Sequence, residues 1–113
     1  MLMALGMLEV FGFTTSIVCA DAIAKAGNVQ IIAIDKNKPA AGDAAEVPLL
    51  MTIKFTGDVS DVEMGMEAGR RYAEEHDLYN TSYIIAREAE DTHKLALLNA
   101  VGRDKLRKPR KQK

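Results

Sequence analysis

The side chains of this 113-residue sequence whose types could do chemistry are two histidines, one cysteine and a few close-set carboxylates. A histidine near neutral pH can shuttle a proton or ligate a metal, a cysteine is a nucleophile only as its thiolate, and paired carboxylates can divide acid and base roles. The spacing supports none of these. His76 falls at the end of one helical pattern and His93 inside another, where solvation accounts for them. Glu74/Glu75 and Glu88/Glu90/Asp91 read as solvated faces or caps, because nothing in the pattern brings a second carboxylate opposite them. Cys19 sits among apolar neighbours, as a small buried thiol does. The sequence holds no glycine-rich phosphate motif, no Gly-x-Ser-x-Gly elbow and no Cys/His cluster. No catalytic residue, metal or cofactor is therefore predicted, and the chain reads as a non-enzyme. Six methionines could form an adaptable binding surface, but Met7, Met51, Met64 and Met66 lie in elements that need core residues, and packing is the expected role.

The length suits one domain with short extensions. With 48% hydrophobic and 27% charged residues, the composition is that of an ordinary folded protein. One cysteine excludes an intrachain disulfide and fits a reducing cytosol. No run is long enough to span a bilayer, and the opening MLMALGMLEV lacks the basic segment of a secretory signal, so a cytoplasmic location without membrane association is expected. The net charge of −1 conceals an asymmetry. Arg103 to Lys113 carries seven basic side chains and one acidic, leaving eight basic and fifteen acidic in the 102 residues before it. An acidic body thus precedes a strongly basic tail, residues 102–113, which is expected to be disordered.

The elements that would position these residues follow from periodicity. Ala4 to Val10 reads as a short strand before Gly12. Thr14 to Ala26 repeats Ile17, Cys19, Ala20, Ile23 and Ala24 at roughly helical spacing, with Gly27 and Asn28 as a stop. Val29 to Ile34 and Leu49 to Phe55 read as strands, separated by a loop from Asp35 to Pro48 that holds two prolines, a glycine and four alanines. Ser60, with Glu63 three residues on, is placed as a capping box for a helix reaching about His76, whose stripe Val62, Met66, Gly69 and Ala73 uses small residues. Asn80 to Ala86 forms a last strand, and Thr92 to Val101 a short terminal helix. The order βαββαβ predicts a ferredoxin-like α+β domain with an antiparallel or mixed four-stranded sheet and both helices on one face. That topology hosts many functions and decides none.

Four blocks carry a more specific signal: ALGMLEVFGF, ADAIAKAGNV, KFTGDVSDVEMGMEAG and SYIIARE. In this order and spacing, over about Ala4 to Glu88, the sequence resembles the bacterial microcompartment shell (BMC) domain in its single-domain, hexamer-forming type, with the domain taken as residues 1–101. The GMLE strand comes first, as in the standard and not the circularly permuted subunit. The resemblance implies a structural protein: a homo-hexamer with a central pore, tiling edge to edge with other shell hexamers and related shell subunits; the unusual loop and tail favour a metabolosome over a carboxysome as its setting. Lys25 matches the family's lysine at the hexamer–hexamer edge, where its apolar stem would lie along a neighbour while the ammonium reaches backbone carbonyls. Read without the family, Lys25 is a solvated lysine paired with Asp21 four residues earlier. Asn28 and Arg87 align with two further edge positions; alone they would be a helix C-cap and a surface charge.

The pore is where the sequence departs from its family. The usual loop after the second strand is short, whereas Lys36 to Pro48 is long, and Ala40, Ala41, Gly42, Asp43 and Ala44 are its candidate pore tip. A surface loop that merely frames the pore is the alternative. Six copies of Asp43 facing the axis would form a carboxylate ring that attracts cations. The basic tail could engage encapsulated enzymes, another tile or nucleic acid, or serve solubility alone. A second reading of the whole chain is a ferredoxin-like regulatory oligomer binding a small molecule between subunits.

Overall fold

The computed structural model describes residues 3–37, 49–87 and Leu97. The expected terminal helix at 92–101, Leu97 apart, the loop tip at 40–44 and the basic tail lie outside these residues. The element order is β1 (Ala4–Phe11), α1 (Phe13–Ala26), β2 (Gln30–Asn37), β3 (Leu50–Gly57), α2 (Val59–Glu75) and β4 (Tyr79–Ile85). The strands form one sheet in the order β2-β3-β1-β4. Every pairing is antiparallel, which resolves the choice between an antiparallel and a mixed sheet.

Alternation along the central strands divides the sheet into two faces. Ala4, Leu8 and Val10 of β1 and Met51, Ile53 and Phe55 of β3 join Cys19 and Ile23 of α1 and Val62, Met66 and Ala73 of α2 in one apolar core. Both helices therefore cover the same face, as expected. Leu8, Ile23, Ile53 and Phe55 are fully enclosed, each contributing roughly 1.5–3 kcal/mol of burial. The helices approach closely because α2 offers glycines where α1 brings Ile23. A Cβ on Gly69 would lie 2.8 Å from Ile23 Cγ1 and 2.9 Å from Leu8 Cδ2, so any larger residue must push the layers apart.

Several boundaries differ from the expectation, each for a local reason. Strand β2 runs on to Asn37, three residues into the predicted loop, because Asp35 pairs with Thr52 and Asn37 with Leu50 on β3. The capping box at Ser60 does not form. Asp58 occupies the N-cap without a side-chain cap bond, and the Val62 N–H donates to its carbonyl at 2.9 Å, which draws Ser60 into the first turn. On α1 the buried positions are Thr15, Ser16, Cys19 and Ile23, so the helix is rotated from the predicted stripe. Ile17 is 46% exposed as a result, and Ala24 also faces solvent. Met64, expected in the core, is 51% exposed, while Met51 and Met66 are buried. Helix α2 ends in a left-handed residue, Asp77 at φ 58°. The Leu78 and Asp77 N–H groups donate back to the Ala73 and Glu74 carbonyls, a pattern that turns the chain into β4.

Candidate functional site

The two ends of the sheet gather different candidates. At one end, Gly57 closes β3 opposite Ala4, Gln30 opens β2 opposite Thr56, and Ile85 closes β4 opposite Leu5. Helix α1 also finishes here, since it runs back along the sheet into the turn before β2. Lys25, Asn28 and Arg87 consequently share this end. Lys25 and Asn28 precede β2 on one edge, whereas Arg87 follows β4 on the other. Across three strand spacings that is a separation of roughly 14 Å. At the opposite end Asn37 and Leu50 are paired as the last and first residues of β2 and β3. The stems of the long loop thus leave the sheet side by side, about 23 Å along the strands from the Lys25 end.

Asp21 and Lys25 meet as predicted, Nζ to Oδ2 at 2.8 Å, with side chains 60% and 76% exposed respectively. Asp21, through this hydrogen bond and then through its charge, holds the ammonium protonated above its ordinary range. Asn28 and Arg87 are exposed. The Gly27 N–H donates to Ile23 O at 3.3 Å and the Val29 N–H to Gly27 O at 2.9 Å, forming a tight turn. The Asn28 N–H donates to Asp61 Oδ1 at 3.2 Å. Gly27 is required by proximity, because a Cβ there would lie 2.3 Å from the Asp61 carbonyl oxygen. Its φ of −138° is open to any residue. Nothing in the sequence pattern singles out Asp61, which lies 33 residues from its partner.

The face of the sheet away from the helices holds a second feature absent from the sequence reading. Lys54 Nζ lies 2.6 Å from Asp35 Oδ2, with side chains only 6% and 7% exposed. A lysine within the apolar run LLMTIKF was the available signal. Nearby, Glu9 accepts from Thr52 Oγ1 through Oε2 at 3.0 Å and from Asn80 Nδ2 through Oε1 at 3.0 Å, joining β1 to the strands on both sides.

His76, Glu74 and Cys19 occupy ordinary positions, while Glu88, Glu90, Asp91 and His93 lie outside the described residues. His76 Nδ1 donates to Tyr72 O at 2.9 Å, and the imidazole stacks on the Tyr72 ring at 4.1 Å. Glu74 pairs with Arg70. Burial pushes the Cys19 thiol up from 9.0 to about 11, and its Sγ lies 3.5 Å from Gly69 O. Among the described residues, no group of three or more His, Cys, Asp or Glu could hold a metal ion, and no helix is long and apolar enough to cross a membrane. A groove of about 390 Å³ runs between α2 and β4, but Arg70 and Arg71 on its wall are committed to Glu74 and Glu67. A hollow of about 160 Å³ beside Glu9 and Tyr83 on the opposite face is below the roughly 300 Å³ of a small-molecule site.

Comparison with known proteins gives these positions a setting. The BMC domain family matches residues 4–88. The bacterial microcompartment shell protein PduK of Salmonella typhimurium is 33% identical over 87 residues, which cover 77% of this chain and 49% of that one. The shell protein PduA of the same organism is 32% identical over 92 residues, covering 81% of this chain and 88% of that one. The chain thus spans about half the length of PduK and nearly all of PduA. A crystal structure of a microcompartment protein from Desulfitobacterium hafniense superposes with a TM-score of 0.67 over 86% of this chain and 48% of that one; at 21% identity it supports the fold alone. With the sheet order, the paired helices and the matched span in agreement, the chain belongs to the BMC domain family.

Proposed function

We propose that this chain is a structural shell subunit of a bacterial microcompartment, closing into a cyclic homo-hexamer that tiles with other shell hexamers and carries a central pore for small metabolites. One observation carries the reading: the sheet holds Lys25, Asn28 and Arg87 at one end and sends the stems of the long β2–β3 loop out of the other. That polarity suits a rotationally closed ring in which one end of each subunit faces the axis and the other the rim. In this arrangement Lys25, Asn28 and Arg87 form the seam between hexamers. The loop bearing Ala40, Ala41, Gly42, Asp43 and Ala44 borders the pore, where six Asp43 carboxylates would favour cations over anionic metabolites. The shell relatives support a structural role in place of an enzymatic one. The basic tail is assigned to contacts with encapsulated enzymes. The test is electron microscopy with sedimentation of the purified protein. Hexamers that form layers or tubes are expected, with Lys25→Ala keeping the hexamer and losing the layers. A monomer or dimer at high concentration in every salt would remove the proposal.

A further inference from the structure

The turn that carries Asn28 is not held by its own helix alone. Its two peptide groups are committed in opposite directions: the Gly27 carbonyl accepts from the Val29 N–H at 2.9 Å, and the Asn28 N–H donates to Asp61 Oδ1 at 3.2 Å. Both groups belong to the peptide joining Gly27 to Asn28, so its plane is fixed from both sides. The Asp61 main chain closes the same contact, since its carbonyl oxygen occupies the place a Gly27 side chain would take. On the other flank a Cβ on Gly57 would lie 3.0 Å from the Asn28 carbonyl oxygen. The turn is therefore clamped by the β3–α2 corner, with Asp61 supplying the side-chain hydrogen bond. Asp61 is well suited to this. It lies in the first turn of α2, where the helix dipole favours a carboxylate, and a charged acceptor strengthens the bond to an amide.

From this geometry we infer that Asp61 is a positioning residue for the hexamer–hexamer seam: it sets the orientation of the Gly27–Asn28 peptide, and with it the direction in which Asn28 is presented next to Lys25. The inference rests on the seam proposed above. Asp61 itself does not touch the neighbouring hexamer in this account. It acts by having the turn already in its assembled conformation, so that layer formation does not have to order it. Losing a charge-assisted hydrogen bond that fixes a rim element weakens each seam by roughly tenfold. Hexamer closure, which this turn does not serve, stays as it is.

The experiment compares the full chain with Asp61→Ala, Asp61→Asn and Lys25→Ala. Sedimentation reads the hexamer, light scattering and negative stain read the concentration at which layers appear, and hydrogen exchange reads the Asn28 amide. Expected are intact hexamers in all four, a layer threshold raised about tenfold in Asp61→Ala, and a faster-exchanging Asn28 amide in that variant. Asp61→Asn, which keeps an acceptor oxygen in place, is expected to restore most of both readouts. An unchanged threshold in Asp61→Ala hexamers overturns the inference and leaves the seam reading standing. Absence of layers in the unmodified chain overturns both. If Asp61→Ala yields no hexamers, Asp61→Asn decides: a small rise in the layer threshold accompanied by faster exchange of the Asn28 amide supports the assignment, and any other combination overturns it.

Discussion

The two faces of the sheet are both buried along the centre of β3, yet they are built from opposite chemistry. Towards the helices, Met51, Ile53 and Phe55 meet Ile23, Val62 and Met66 in a continuous apolar layer. On the other side the intervening residues Lys54 and Thr56 are 5% and 4% exposed, and Lys54 finds Asp35 from the neighbouring strand. The apolar layer gains from area removed from water and accepts many arrangements of similar volume. The polar layer has little such tolerance: a buried cation needs its anion within reach, and losing one partner strands the other. One face therefore gains stability from buried area, and the other depends on the register that brings Asp35 of β2 to Lys54 of β3, next to the stems of the long loop.

The two faces should differ most at the ion pair. Lys54→Met is expected to destabilise the protein by about 3–5 kcal/mol, and adding Asp35→Leu to recover most of that. Urea denaturation of the single and double variants checks it; a single variant as stable as the parent would mean that the polar face is not enclosed. On the helix face, Gly69→Ala is expected to cost about 1–3 kcal/mol, because its methyl group meets Ile23 and Leu8 within 3 Å. The companion Ile23→Val should relieve part of that, measured by the same denaturation curves.

A smaller effect reads the dryness of the helix face through Cys19. The folded thiol titrates near 11 and an ordinary one near 9.0. As pH rises through that window the unfolded chain loses its proton first, so stability present below pH 9 declines towards pH 11. The decline is at most about 1.4 kcal/mol for each step of one in pH. Comparing denaturation midpoints of the parent and Cys19→Ala across that range isolates it; identical slopes would show that the thiol is not desolvated. The smallest change belongs to the surface. Asp21→Ala breaks an ion pair whose partners are both mostly exposed, and no resolvable shift in melting temperature is expected by calorimetry.

Much of this fold was legible in the chain. The six elements, their order and the small-residue stripe Val62, Met66, Gly69 and Ala73 all follow from periodicity, because burying one face of a helix or strand writes itself into the spacing of apolar residues. The seam candidates were legible in a narrower way. The ion pair of Asp21 and Lys25 follows from their spacing of four residues on one helix, whereas the edge roles of Lys25, Asn28 and Arg87 entered through resemblance to a family. Asp61 left no trace, since its bond to the Asn28 amide joins residues whose proximity depends on how α2 packs beside the end of α1.

Local conformation and partition are written in the residue order: which segments bury an apolar face, where strands give way to helices, and that an acidic body precedes a basic tail. The strand registers are not written there and arise only when the sheet assembles. Strand β2 reads as the nearly unbroken apolar run VQIIAI, with no alternation to assign its faces. In the fold the pairing shifts between Ile31 and Ala33, so that Ile31 and Ile34 both stand opposite core residues, Phe55 and Ile53. One extra residue inverts every side chain after it. That shift turns Asp35 away from the apolar core and towards Lys54. It depends on the pairing energy of the assembled sheet, which no pattern within a single strand contains.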